Sequence, residues 1–371
     1  MAVKVLIVDD SQLVRDMLTE MLSGDPGIQV LGGAADPFEA REKIKQLHPD
    51  VLTLDVEMPK MDGVTFLKNL MRLHPIPVVM ISTLTEKGAD VTFEAMDLGA
   101  VDFVTKPKFD LHNTFEDYAL EIRRKVKIAA HVSRPMLERQ YARYVANQSR
   151  SPQLLESSVP EKRDVNAVLP KKAIQPFAPS SGPKLIALGA STGGTEAIKE
   201  VLLRLPEDSP PIVITQHIPA AFSAPFAKRM NSVAAIQVHH AQDGMLIERG
   251  NVYIAPGDQH LMVMREGAKL VCRLNDGSPV NRHKPSVDVL FRSVGQAVGN
   301  RAVGVILTGM GADGALGLKE LHDQGVKTVA QDEKTSVVWG MPGESVKMGA
   351  VDYVLPLEQI AQKILELANR A

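Results

Sequence analysis

Short apolar runs and amphipathic stretches alternate along this chain, and that alternation constrains its fold more than any other feature. In residues 1–131 apolar runs fall at 3–8, 28–31, 51–54, 78–81 and 101–104. Stretches with helical spacing follow them, at 11–22, 37–47, 63–73, 87–98 and 113–130. Such strand–helix repeats predict α/β architecture: a doubly wound parallel sheet of flavodoxin type. The pattern fades over 132–183, where Ser, Pro, Lys, Glu and Gln dominate, and this segment reads as a flexible linker. Within it, 136–145 extends the last helix. The pattern resumes over 184–371 as a second, larger, Rossmann-like parallel α/β domain. Its strands are expected at 185–188, 211–215, 238, 303–307, 328–330 and 351–354, with 251–274 a β-hairpin insertion. Helices are expected after Gly194 and at 285–298, 315–324 and 357–369.

Composition narrows the class of function. A chain of 371 residues is long for one core, which supports two domains. A net charge of -2 gives no reason to expect nucleic acid or an anionic membrane as partner. The single cysteine, Cys272, excludes an internal disulfide and a multi-cysteine metal site, and reads as a buried hydrophobe. No leader pattern opens the chain, and no apolar run approaches the roughly 20 residues of a membrane helix. The expectation is a cytoplasmic protein without direct membrane insertion.

In parallel sheets ligands bind beyond the carboxyl ends of the strands. In the first domain those ends carry Asp9 and Asp10, Asp55 and Glu57, Ser82, and Lys106. Carboxylates gathered at one edge repel each other unless a cation sits among them, and oxygen ligands of this kind suit Mg2+. A carboxylate so placed can attack a phosphoryl group, with the Lys106 ammonium and the Ser82 hydroxyl binding its oxygens.

The second domain opens with an apolar strand and then Gly189-Ala190-Ser191-Thr192-Gly193-Gly194. Gly-x-Ser-x-Gly on a strand–turn–helix corner is the setting of a nucleophile elbow. Thr195 is positioned to cap the helix that follows. His217 and Asp313 also fall just past apolar runs, so parallel strands would bring all three to one edge. Serine, histidine and aspartate converging there suggest nucleophile, general base and orienting acid. Backbone N–H groups near Thr192 or Met310 could bind a developing oxyanion. Spacing alone leaves Asp332 and Asp258 as rival acids, and His239, His240, His260 and His283 as rival bases. Two other functions are weighed. A dinucleotide fingerprint would need glycine where Ser191 stands. A helix-turn-helix DNA reader would be shorter, more basic and less sheet-rich.

Two resemblances sharpen this reading. The Asp9-Asp10 pair, LDVEMPKMDG around Asp55, Ser82 and Lys106-Pro107 resemble a response-regulator receiver. That resemblance implies Asp55 as phospho-acceptor, and Mg2+ held by Asp10, Asp55 and the Glu57 carbonyl with Asp9 nearby. It implies Phe103 as the switch aromatic moving with the Ser82 loop, and allows a cis peptide at Lys106-Pro107. GASTGGTEA, ITQHIP, YIAPGDQH, NRHKPSVDVLF, ILTGMGADG and VVWGMPGE resemble the chemotaxis response-regulator methylesterases, the CheB family. That implies a Ser191–His217–Asp313 triad with the Met310 amide as oxyanion donor, and Ala312 stands where a family member carries Asn. It further implies hydrolysis of glutamate methyl esters, and deamidation of glutamines, on chemoreceptor cytoplasmic helices, with no cofactor for the hydrolase. A histidine kinase of the chemotaxis system would be the phosphodonor, relieving a receiver that covers the cleft. Arg282, His283 and Lys284 form a basic cluster, read first as solvated or structural and second as a surface for acidic receptor helices.

Overall fold

The computed structural model describes residues 2–59, 61–82, 86–106, 115–148 and 184–369. The first domain runs β1 Val3–Val8, α1 Gln12–Ser23, β2 Ile28–Ala34, α2 Pro37–Leu47, β3 Val51–Asp55, α3 Gly63–Leu73, β4 Val78–Ser82, α4 Glu86–Leu98, β5 Asp102–Thr105 and α5 Phe115–Ala129. Its five strands pair in parallel in the order β2-β1-β3-β4-β5. The order reverses between β1 and β3, so a crevice opens beyond Val8 and Asp55. β3 and β4 are buried along their whole length, as strands covered by helices on both faces must be. The Lys106-Pro107 peptide lies outside the described residues.

A further helix, α6 Arg134–Gln148, follows a break at 131–133. It is a separate element where a continuation of α5 was expected, and it packs on α3 and α4. Met136 and Leu137 are buried, and Tyr141 and Tyr144 lie against the same core at helical spacing. That stripe is diluted in the sequence by the Arg and Glu residues around it, which is why 136–145 read as an extension of the preceding helix and not as an element with a packed face of its own.

The second domain runs β6 Leu185–Ala190, α7 Gly194–Leu202, β7 Ile212–Gln216, α8 Ala220–Val233, β8 Gln237–His240, β9 Asn251–Ile254, β10 His260–Glu266, β11 Lys269–Asn275, α9 Val287–Val298, β12 Ala302–Ile306, α10 Ala315–Asp323, β13 Lys327–Gln331, α11 Met341–Lys347, β14 Tyr353–Leu355 and α12 Leu357–Asn369. Seven strands make one sheet in the order β14-β13-β12-β6-β7-β9-β8, and every pairing in it is parallel. Only β10 and β11 form the expected hairpin, as a separate antiparallel pair. β9, expected to belong to that hairpin, is a central-sheet strand between β7 and β8.

Alternation along β6 shows how the layers form. Ile186 and Leu188 join the cluster that includes Ile198 and Val201 of α7 and Ile360 and Ile364 of α12. Leu185 and Ala187 join the other cluster, with Leu290, Phe291 and Val294 of α9 and Leu318 and Leu321 of α10. Successive side chains point to opposite faces, so a strand apolar at every position is read by two helical layers. Among the described residues no helix is long and apolar enough to cross a membrane.

The domains meet through α4, β5, α7 and α8. Phe93 and Phe103 from the first pack on Phe222 and Phe226 of the second, with the Phe103 and Phe222 rings 4.6 Å apart. Beside this apolar centre, Asp97 of α4 accepts from Lys199 Nζ at 2.5 Å and Arg229 Nη2 at 2.7 Å. Arg143 of α6 pairs with Glu358 of α12 at the rim. Replacing Asp97 with Ala would remove the carboxylate that Arg229 and Lys199 share, leaving Lys199 only Glu196 at 3.8 Å and costing about 2 kcal/mol. Asp97→Ala is therefore expected to enlarge the scattering radius of the full chain in solution; an unchanged radius would show that the domains stay together without the Asp97 ion pairs.

Candidate active site

Ser191 sits where β6 ends, His217 where β7 ends, and Asp313 in the loop after β12. These strands are neighbours in the order β12-β6-β7, and the topology switches direction at β6. The register pairs Ala190 with Gln216, so the next residues, Ser191 and His217, leave the sheet side by side. The His217 N–H donates to the Ala190 carbonyl at 3.1 Å, fixing the two turns to each other.

The Ser191 corner depends on glycine at two points. Gly193 adopts φ 74°, a left-handed conformation, and is itself the N-cap of α7. The expected Thr195 cap is absent: the helix starts two residues earlier than that role requires, and the Thr195 hydroxyl is buried without a partner. At Gly309 a Cβ would lie 2.8 Å from Ser191 Cβ, so only glycine lets the loop after β12 run against the serine. The Ser191 N–H donates to the Thr308 carbonyl at 3.0 Å. Among the described residues the backbone N–H groups of Thr192 and Met310, one from each loop, have no acceptor. Buried Gln216, which the sequence did not single out, braces the corner by donating from Nε2 to the Ser191 carbonyl at 2.9 Å.

Asp313 is 2% exposed and heavily hydrogen-bonded. Its Oδ2 lies 2.8 Å from His217 Nε2 and accepts from the Val287 N–H at 2.7 Å. Its Oδ1 accepts from Ser286 Oγ at 2.7 Å and Asn281 Nδ2 at 2.8 Å. Burial alone would raise its pKa; the His217 partner and the other donors overcome that and hold it well below the ordinary carboxylate value. An ionised carboxylate only accepts, so in neutral His217 the proton sits on Nε2 and the lone pair on Nδ1. Nδ1 is buried and has no hydrogen-bond partner among the described residues. Ser191, Thr192, His217 and Met310 all line one cavity of about 1590 Å3. The arrangement can therefore pass a proton from a hydroxyl to Nδ1, bind an oxyanion at two amides, and hold the resulting imidazolium against Asp313.

The rivals separate cleanly. Asp332 accepts from the backbone and hydroxyl of Thr335, a turn role, and Asp258 is exposed. His239 bonds Asn251, His240 lies 3.1 Å from Ser223 Oγ, and buried His260 bonds Ser278 and Ser286. His283 is at the site, lining the same cavity, with its ring stacked on that of His217 at 3.8 Å. The cluster read as solvated is therefore split: His283 is part of the site, and Lys284 pairs with Asp276.

The first domain closes the other wall of the cavity. Asp102 Oδ2 accepts from Thr192 Oγ1 at 2.8 Å, and Phe103, Arg124 and Lys125 line the same space. Ser191 is left 7% exposed.

At the crevice of the first sheet, carboxylate oxygens of Asp9, Asp10 and Asp55 all lie within 4.8 Å of one another. Lys106 Nζ is 2.8 Å from Asp55 Oδ2 and 3.2 Å from Asp9 Oδ2. Burial raises the Asp55 carboxyl to about 6, and Asp9 shifts upward for the same reason. Asp55 Oδ1 is buried with no hydrogen-bond partner among the described residues. An all-oxygen donor set with an unsatisfied buried oxygen fits a hard cation such as Mg2+. Exposed Asp10 and Glu57 line the same pocket as Lys106. Ser82, one step beyond Ile81, which pairs with Asp55, turns its hydroxyl toward Thr92 of α4 at 2.6 Å. Phe103 is buried in the domain interface, with Lys125 Nζ 5.4 Å above its ring.

Comparison with known proteins agrees with both halves. The family models for the response regulator receiver domain and for CheB methylesterase match residues 5–115 and 186–364. A protein-glutamate methylesterase/protein-glutamine glutaminase of Hydrogenovibrio crunogenus is 68% identical over 374 residues, covering 99% of each chain. One from Xanthomonas campestris pv. campestris is 54% identical, covering 100% of this chain and 98% of that protein. The crystal structure of the Thermotoga maritima CheB methylesterase catalytic domain matches half of this chain and 99% of its own, at 36% identity and TM-score 0.49.

The Asp313 shift has a stability consequence. A carboxyl that ionises more readily folded than unfolded adds stability that is complete above its ordinary value of 3.8 and is lost as the pH falls below it. Urea unfolding at pH 6 and at pH 3 should thus show wild type ahead of Asp313→Asn at the higher pH, with the gap narrowing at the lower. A gap independent of pH would mean that the carboxylate charge does not stabilise the site.

Proposed function

The chain belongs to the CheB methylesterase family, a receiver domain followed by a hydrolase, and from that premise we propose how its residues work. It is a protein-glutamate methylesterase and protein-glutamine glutaminase. In our reading Ser191 is the nucleophile, His217 the general base and Asp313 the acid that orients it. The observation that carries this is the buried Nε2–Asp313 bond, which leaves an unpartnered Nδ1 in the cavity that Ser191 lines.

Ser191 Oγ attacks the γ-carbonyl carbon of a glutamyl methyl ester while Nδ1 takes its proton. The carbonyl electron pair moves onto oxygen, where the Thr192 and Met310 amides receive it, each donor contributing about 2.7–4 kcal/mol. Collapse breaks the bond to methoxide, which leaves as methanol with the proton from His217. Water then attacks the acyl-enzyme through the same base, and glutamate departs. A glutamine side chain follows the same course with ammonia leaving. The ester-bearing segment is assigned to chemoreceptor cytoplasmic helices, which places the reaction in the cytoplasm. No metal is required by any of these steps.

The receiver controls access. In the described arrangement Asp102 holds Thr192 and the first domain walls the cavity, so this is a closed form. Asp55 is proposed to accept a phosphoryl group from a chemotaxis histidine kinase, its oxygen attacking phosphorus as the histidine nitrogen leaves. Asp10, Asp55 and the Glu57 carbonyl, with Asp9 behind them, would hold Mg2+, which supplies positive charge against the crowded carboxylates and phosphoryl oxygens. Lys106 and Ser82 would turn to the phosphoryl oxygens. Lys106 follows directly on β5, so its release from Asp55 and Asp9 pulls on the strand that carries Asp102 and Phe103 into the interface. The phosphoryl group thereby shifts the population toward an open form.

Methanol release from methylated receptor tests this. Ser191→Ala is expected to lose at least about a thousandfold in turnover while still accepting phosphate on Asp55. Asp55→Asn should keep the basal rate and lose its rise with a phosphodonor. Wild-type turnover in Ser191→Ala would refute the nucleophile, and an undiminished rise in Asp55→Asn would refute the phospho-acceptor.

A further inference from the structure

One four-residue turn touches both the acid and the base. Val280 and His283 exchange backbone hydrogen bonds at 2.9 and 3.0 Å, and the two residues between them, Asn281 and Arg282, have φ of 53° and 67°. That is a type I′ turn, whose central positions tolerate few residues besides Gly, Asn and Asp. Asn281 satisfies the backbone and also aims its amide inward. Nδ2 lies 2.8 Å from Asp313 Oδ1 and 2.6 Å from Asp288 Oδ2, so one NH2 group bridges two carboxylates. Two residues on, the His283 ring lies on the His217 ring, centroids 3.8 Å apart and planes within 8°.

We propose that Asn281 and His283 are positioning residues for ester hydrolysis, the turn fixing the Asp313 carboxylate with one and the plane of the His217 imidazole with the other. Without the Asn281 amide, Asp288 and Asp313 lose the donor they share, and Asp313 Oδ1 keeps only Ser286 Oγ and the Asp288 N–H to hold its orientation toward Nε2. Without the His283 ring, His217 loses the flat surface that fixes the plane of its imidazole. Burial, with His217, Arg124 and Lys125 nearby, pushes His283 down to about 3, so it stacks as a neutral ring. Asp288, on the first turn of α9, is anchored independently by the Gly317 N–H at 2.7 Å. The turn therefore bridges a fixed carboxylate and a functional one.

The inference rests on the triad reading above, and turnover on methylated receptor separates the two. The full chain, with a small phosphodonor, is compared as wild type, Asn281→Gly, Asn281→Asp, His283→Ala and His283→Phe. Glycine keeps the left-handed turn and removes only the amide; aspartate keeps the turn and replaces a donor by a third carboxylate; phenylalanine keeps a flat ring that cannot titrate. Asn281→Gly and His283→Ala should lower kcat about tenfold or more with KM within about twofold and the unfolding midpoint retained. Asn281→Asp should lose more than Asn281→Gly, and His283→Phe should recover to within about threefold of wild type. Wild-type kcat in a folded Asn281→Gly or His283→Ala would overturn the inference. So would a loss in His283→Ala that phenylalanine does not restore. Wild-type turnover in Ser191→Ala measured alongside would instead remove the triad reading beneath it.

Discussion

Parallel strands end together, and the catalytic half of this protein depends on that constraint. β12, β6 and β7 lie side by side, so loops from residues far apart in sequence leave the sheet at one edge. A carboxylate, an imidazole and a hydroxyl reach that edge without any loop having to travel. Their environment then follows from burial. Asp313 is stripped of water and repaid with donors from Asn281, Ser286 and Val287, which keeps it ionised. The ionised acid dictates the tautomer of His217, and the tautomer dictates which nitrogen is left for Ser191.

The same constraint operates in the receiver at a different charge. There the strand ends collect carboxylates, and Lys106 is the group that holds two of them together. The two sites are joined by a short physical path. Lys106 follows directly on β5, Asp102 and Phe103 begin that strand, Asp102 bonds Thr192, and Phe103 packs on Phe222. Thr192 is the residue beside the nucleophile. In the proposed switch, a change in what Lys106 binds would act four residues away, at a contact that touches the loop carrying Thr192, with no long chain of intermediates.

Much of this was legible in the sequence, and the reasons are local. Buried parallel strands announce themselves as continuous apolar runs, so most strands of both sheets, and the polar residues just past them, could be placed. Asp313 could not be told from Asp332, nor His217 from His239 or His260, because strand order within a sheet leaves no periodic mark. β9 was grouped with the hairpin after it because a turn and a crossover look alike in a Gly-rich stretch. α6 read as a continuation of the helix before it, because its apolar stripe of Leu137, Tyr141 and Tyr144 is narrow and flanked by charge and nothing marks it as a separately packed helix. The domain interface was invisible for a further reason: Phe93, Phe103, Phe222 and Phe226 fit the core pattern of their own domains equally well. Asn281 was not singled out, and His283 was left between rival base and a solvated or structural cluster, because nothing in NRHKP marks a turn folded back over the site.

The account turns on a hydroxyl that is chemically ready but physically covered. The rate at which a fluorophosphonate labels Ser191 in the full chain, with and without a small phosphodonor, measures both properties together. The account predicts slow labelling that accelerates when the phosphodonor is added. Labelling at one rate in both conditions, or labelling that leaves Ser191 unmodified, would contradict it.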